Sequence, residues 1–210
     1  MKNYKTVKKA AFDEFIERKS RFIGYSCPVS REEDAIAFIN EVRARHREAT
    51  HNVYAYIIRE EGVMRYSDDG EPAGTAGMPV LDVLRKEDLT DICVVVTRYF
   101  GGVLLGAGGL VRAYAKGAKI GVDAAKRIER VFCDIFSVKC DYSSLGKLRY
   151  AVEENEDFIL RDIVYTDLAE MIVCVKVEDS KAFTDMIVDI SQGKITPTLI
   201  ETDYIDKDID

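Results

Sequence analysis

At 210 residues, with 47% hydrophobic and 32% charged side chains, the chain has the composition of a soluble globular protein and room for two domains. No apolar run approaches the roughly 20 residues of a membrane-spanning helix, and Met1-Lys2-Asn3-Tyr4-Lys5 lacks the apolar stretch of a signal peptide, so a cytoplasmic protein with no membrane partner is expected. The net charge of −7 is uneven: residues 1–130 hold 22 Lys and Arg against 19 Asp and Glu (+3), while residues 131–210 hold 8 against 18 (−10). A polyanion would be repelled by the second part and tolerated by the first, and the shift marks a domain boundary near residue 130.

Taken in chain order, 21–27 reads as a strand stopped by Pro28. Ser30 and Glu33 have capping-box spacing and open a helix that buries Ile36, Ile39 and Val42. The stretch 52–58 is a strand with 63–67 as its hairpin partner, and Asp68-Asp69-Gly70 turns the chain. Thr75 is placed to cap a second helix running to about Arg85, which keeps Pro79 in the first turn. Ile92 to Val96 is a continuous apolar run, the pattern of a strand buried on both faces. Beyond it Val111, Ala115, Ala118, Val122 and Ala125 follow helical spacing, with Arg112, Lys116 and Lys119 on the opposite face.

The second part predicts strand 131–140, helix 143–155 with Leu145, Leu148 and Val152 inward, and strands 158–165 and 171–177. A helix capped at Asp179 or Ser180 buries Phe183, Met186, Ile187 and Ile190, and Gln192-Gly193 ends it. A last strand, 195–202, carries Pro197 and belongs at a sheet edge, and 203–210 reads as a frayed acidic tail. The order β-α-β-β-α-β is that of a ferredoxin-like domain. The five cysteines, Cys27, Cys93, Cys133, Cys140 and Cys174, form no Cys-x-x-Cys and are expected as buried thiols.

Five of the chain's fourteen glycines, Gly101, Gly102, Gly106, Gly108 and Gly109, fall between the apolar strand and the basic helix. Bared N–H groups at a helix N-terminus make an anion site, although tight packing of loop on sheet would also call for glycine. Gly74-Thr75-Ala76-Gly77 repeats the arrangement on a smaller scale. Arg98, at the strand end beside the loop, is the basic residue best placed to hold a phosphate; Arg112 and Lys116 extend the track, and Tyr99 and Phe100 offer stacking faces. Arg43, Arg45, Arg47 and Lys119 are further candidates for that surface or plain solvated charges. Asp68, Asp69 and Glu71 could hold Mg²⁺ or supply a general base, with turn formation and helix-dipole pairing as the structural alternative. His51 is a further catalytic candidate, and His46 closes an arginine-rich helix end.

Lys19-Ser20-Arg21-Phe22-Ile23, His51-Asn52-Val53-Tyr54-Ala55-Tyr56, the run from Ser67 to Gly77 and the run from Val95 to Tyr114 together resemble the YigZ/Impact family. The motifs cover about residues 15–125; residues 131–210 resemble the bacterial C-terminal domain in element order and length. The resemblance implies an α+β fold: an Impact-type domain over 1–130, similar to the second domain of ribosomal protein S5, then a ferredoxin-like domain over 131–210, similar to the last domain of elongation factor G. Eukaryotic Impact proteins regulate translation initiation, and the resemblance implies a translation-associated protein that binds RNA or the ribosome through its N-terminal domain. The acidic C-terminal domain would then face a protein partner or exclude off-target polyanions. An enzyme acting on a small phosphorylated substrate or nucleotide, and a protein-interaction module, are the rival expectations.

Overall fold

The computed structural model describes residues 3–209, which divide into two compact units: 4–129 with 208 and 209, and 130–207 with Asn3. Both are mixed α and β, as the sequence suggests.

The N-terminal unit contains β1 (Tyr4–Val7), β2 (Ala11–Glu17), β3 (Ser20–Pro28), α1 (Glu32–Arg45), β4 (His51–Ile58), β5 (Val63–Ser67), α2 (Gly77–Lys86), β6 (Ile92–Tyr99) and α3 (Ala107–Ala125). Its sheet has the order β2-β3-β6-β4-β5, antiparallel throughout. Residues of β6 alternate between two cores. Val94 and Val96 join the cluster made by α2 and α3, while Cys93 and Val95 join the one made by α1. Each is 0% exposed, so the apolar run is buried from both sides, about 1.5–3 kcal/mol per side chain relative to exposure. Parity then dictates the strand end: Arg98 shares the α3 side with Val96, and Tyr99 turns to the α1 side.

Helix α3 lies directly on β3. A Cβ added to Gly24 would sit 1.8 Å from the carbonyl oxygen of Gly117, so the two backbones touch where any side chain would part them.

Several local expectations are corrected. Helix α1 starts after Arg31 with no side-chain cap, so Ser30 does not close a capping box. Its buried face is Ala35, Ile39 and Val42, a spacing of i, i+4, i+7 that leaves Ile36 at the margin and 47% exposed. On α3 the inward residues include Leu110 and Tyr114, and Val111 is exposed. Strands β1 and β2 add to the elements that the sequence pattern suggests.

The C-terminal unit is built from β7 (Arg127–Cys140), α4 (Tyr142–Glu153), β8 (Phe158–Tyr165), β9 (Ala169–Lys176), α5 (Ser180–Ile190) and β10 (Thr198–Asp208). Its strand order, β10-β7-β9-β8, is the 4-1-3-2 arrangement of a split βαβ sheet. Leu148, Val152, Phe183 and Ile187 fill its core, and Gln192 and Gly193 take the left-handed conformation (φ +55° and +78°) that ends α5. The supposed acidic tail is strand as far as Asp208, because Thr202 and Arg130 hold it: the Thr202 hydroxyl donates to Asp134, and Arg130 pairs with Asp206. Cys93, Cys133, Cys140 and Cys174 are buried thiols and Cys27 is half-buried; burial pushes the Cys133 thiol up to about 11.

Candidate functional site

The expected site residues separate into three groups. The first surrounds the α2 N-terminus. The Asp68 carboxylate accepts from the backbone N–H of Gly74 (2.9 Å), Ala76 (3.1 Å) and Gly77 (2.8 Å). The chain therefore supplies its own anion to the donors that Gly74, Thr75 and Gly77 were expected to offer a ligand. Thr75 is not the cap either; its hydroxyl and its N–H both donate to the Pro72 carbonyl. Asp69, at φ +46°, accepts from Arg43 (2.9 Å) and from the Asn52 N–H (2.6 Å), which joins the turn to α1 and β4. The oxygens of Asp68 and Asp69 are thus engaged by separate donors, and no group of three or more His, Cys, Asp or Glu is arranged for a metal among the described residues.

The second group is a buried polar cluster. Arg98 is 4% exposed, and its Nη1 donates to Glu71 Oε1 at 2.6 Å. Tyr114 donates to the same oxygen at 2.7 Å. Burial and this carboxylate push the Tyr114 hydroxyl far above its ordinary pKa, so it stays protonated as a donor. His51 stands opposite Arg98 across β4 and β6, with Nδ1 2.7 Å from the Asp69 carbonyl oxygen and Nε2 3.7 Å from Glu71 Oε1. A carbonyl oxygen only accepts, so Nδ1 carries the proton and Nε2 presents a lone pair when the ring is neutral. Arg98 is thus not a surface phosphate clamp. Its guanidinium is ion-paired inside the unit, between the rings of Phe22 and Phe100 at 5.4 Å each. Tyr99 leaves the site altogether: on the opposite sheet face its hydroxyl lies 2.8 Å from His46 Nδ1, and His46 Nε2 meets the Tyr25 hydroxyl at 2.6 Å.

The third group is the long glycine loop and the start of α3. At Gly101 a Cβ would fall 2.0 Å from the Lys19 carbonyl carbon, and the Gly101 N–H donates to Ser20 Oγ, so this glycine is needed for close approach to the β2–β3 turn. Gly102 (φ +81°) and Gly106 (φ +73°) take conformations that suit glycine. Gly106 precedes α3, and its carbonyl receives the Leu110 N–H; no side chain caps the helix. The N–H groups of Ala107, Gly108 and Gly109 have no acceptor among the described residues and lie in an exposed turn, which is the bared helix start the sequence suggests. Gly108 faces Arg112 Nη1, and Gly109 packs against Leu105.

Two concavities flank this turn. One, about 220 Å³, is lined by Phe15, Glu17, Arg18, Arg112 and Lys116 beside Gly109. Lys116 Nζ sits 4.2 Å over the Phe15 ring, and neither Arg18, Arg112 nor Lys116 has an acidic partner among the described residues. Arg18 and the exposed Lys19 form the turn between β2 and β3, at positive φ. Arg18 escapes a reading of the sequence because β2 does; only the basic pair at the head of the Lys19-Ser20-Arg21 motif hints at it. Lys119, by contrast, is taken up by Glu87 and Asp123, and Arg43 and Arg45 by Asp69 and Glu41. The other concavity, about 410 Å³, has His51, Glu71 and Arg98 at its base and Phe100, Leu104 and Leu110 among its walls. No helix among the described residues is long and apolar enough to cross a membrane.

Residues 18–122 match the model of the Impact N-terminal domain, and residues 138–194 match a domain of unknown function, DUF1949. The chain is 41% identical over 206 residues to the IMPACT family member YvyE of Bacillus subtilis, covering 98% of this chain and 94% of that one. It is 32% identical over 187 residues to the IMPACT family member YigZ of Escherichia coli, covering 88% and 91%. It is also similar to the IMPACT homolog of Saccharomyces cerevisiae, 32% identical over 102 residues, covering 46% of this chain and 39% of that protein. A crystal structure described as that of a hypothetical protein superposes with a TM-score of 0.60 at 29% identity, over 96% of this chain and 98% of the other.

Proposed function

This chain belongs to the IMPACT family, and we propose that it is a cytosolic, translation-associated protein that binds RNA, free or ribosomal, through phosphate contacts on its N-terminal unit. The observation that carries this reading is the open first turn of α3 bordered by Arg18, Arg112 and Lys116, with Lys19 in the adjoining turn. Backbone N–H groups and the helix dipole favour an anion there, and cations without acidic partners supply the long-range attraction. Glu17 is the one acid in that groove. The family resemblance implies a translation-associated protein, which makes RNA of the translation machinery the fitting polyanion. Residues 131–210, at −10, would be repelled by phosphate and are suited to a basic protein partner.

The test is fluorescence anisotropy of a labelled single-stranded RNA of about 20 nucleotides, titrated at about 50 and 200 mM salt. Charge reversal of Arg112 and Lys116 to Glu weakens binding about 10-fold or more and flattens the dependence of log affinity on log salt by roughly 0.7 for each phosphate no longer neutralised. Arg149→Glu, on α4, changes neither. An unaltered salt slope in the double variant, with its fold intact, refutes the assignment.

A further inference from the structure

Contacts to phosphate position a strand without reading it, whereas the 410 Å³ cavity beside the same helix start presents groups able to discriminate. Gly106 and Ala107 belong to its rim, so it adjoins the proposed phosphate site.

Three features restrict what fits. The base of the cavity holds two acceptor groups and one donor, the buried Arg98 Nε, which has no partner among the described residues and suits a carbonyl oxygen such as guanine O6. His51 Nε2 presents a lone pair, since Nδ1 is bonded to the Asp69 carbonyl. Glu71, its side chain 4% exposed, receives both Arg98 and Tyr114 on Oε1, which leaves Oε2 without a donor among the described residues. Nε2 and Oε1 are only 3.7 Å apart, so the two acceptor groups are neighbours. Next, Arg98 already balances the Glu71 charge, so neutral N–H donors suit the site better than a cation does. Finally, the walls are apolar and include Phe100, 45% exposed, whose ring offers a stacking face.

The geometry points to a guanine base as the occupant, turned out of a strand whose phosphate lies on the α3 N–H groups. Among the four RNA bases, guanine alone carries two adjacent donors, N1–H and the exocyclic amino group, to place on Glu71 Oε2 and His51 Nε2. Adenine and cytosine present a single donor group beside an acceptor, and uracil one N–H between two carbonyls; each leaves one protein acceptor unmatched, and a mismatched buried acceptor is costly. This assignment rests on the RNA-phosphate reading above and adds to it the base that is read.

GMP, AMP, UMP and inorganic phosphate are titrated into the full chain by calorimetry, with the Ala107 and Gly108 amide resonances followed by NMR. GMP binds about 10-fold or more tightly than AMP or UMP, in line with the discrimination of a paired donor–acceptor interaction. In His51→Leu the preference falls to within about 2-fold while inorganic phosphate still shifts both amides, because only the acceptor for the base has gone. Phe100→Ala, at an exposed position, weakens GMP without altering the response to phosphate. GMP binding no tighter than AMP or UMP overturns the guanine assignment. If that happens while charge reversal at Arg112 and Lys116 still abolishes RNA binding, the phosphate reading stands alone; if neither nucleotide nor RNA binds, both fall.

Discussion

Asp68→Ala tests whether α2 is sealed by its own chain. The substitution removes one carboxylate and strands the N–H groups of Gly74, Ala76 and Gly77, bonded at 2.9, 3.1 and 2.8 Å. Losing an Asp cap costs about 0.5–2 kcal/mol in surface helices, and hydrogen bonds to a charged acceptor contribute about 1.5–3 kcal/mol. Asp68 is half-buried, so water replaces part of what is removed, and a net cost of about 2 kcal/mol follows. With a urea dependence near 2 kcal/mol per molar, the unfolding midpoint of the N-terminal unit drops by about 1 M. The bared amides also become an anion site, so sulfate raises the midpoint of the variant more than that of the wild type, by mass action on the native state. A midpoint within about 0.2 M of wild type would contradict the capping argument. Equal sulfate responses would show that the amides are not what Asp68 occupies.

Two further outcomes follow from packing and from protonation. Gly101→Ala would bring a Cβ to 2.0 Å from the Lys19 carbonyl carbon, so the β2–β3 turn must shift; overpacking of this kind costs about 1–3 kcal/mol, and thermal unfolding should fall while Gly102→Ala, with open space around its Cβ, costs only its backbone strain. His46 is held below its ordinary value of 6.5 by burial first, then by Arg45 and Arg21, so the unfolded chain takes up the proton first as pH falls. Its stabilising effect is whole above pH 6.5 and is lost below it, toward the lowered folded value. The drop in urea midpoint between about pH 7.5 and 5.5 should be smaller in His46→Gln than in wild type, and equal drops would rule this out.

Most of the C-terminal unit is legible from sequence because its helices keep a clean period: Phe183 and Ile187, like Leu148 and Val152, are spaced to share a face and are all 0–1% exposed. Strand β2 is not. It is an edge strand with Phe12 and Ile16 more than half exposed among Asp13, Glu14 and Glu17, so it shows neither alternation nor an apolar run. Arg98 stands out as unusual at the end of an apolar strand, yet its role depends on strand parity and on Glu71, 27 residues earlier in the chain. The capture of the α2 amides by Asp68 is hidden for a related reason: local capping patterns span three residues, and Asp68 reaches six to nine residues ahead. Only the α3 turn, where no acid lies close in sequence, keeps the donors that its glycines advertise.

The bare contact between Gly24 and Gly117 gives α3 a fulcrum. Ten residues, about 15 Å of helix, separate it from the first turn, so a wedge as small as one methyl group under Gly117 would tilt that turn like the long arm of a lever. A substitution there lies away from the proposed phosphate site, yet it would misalign that site at the far end. Mutations that silence this protein should therefore be sought under the middle of the helix as well as at its tip.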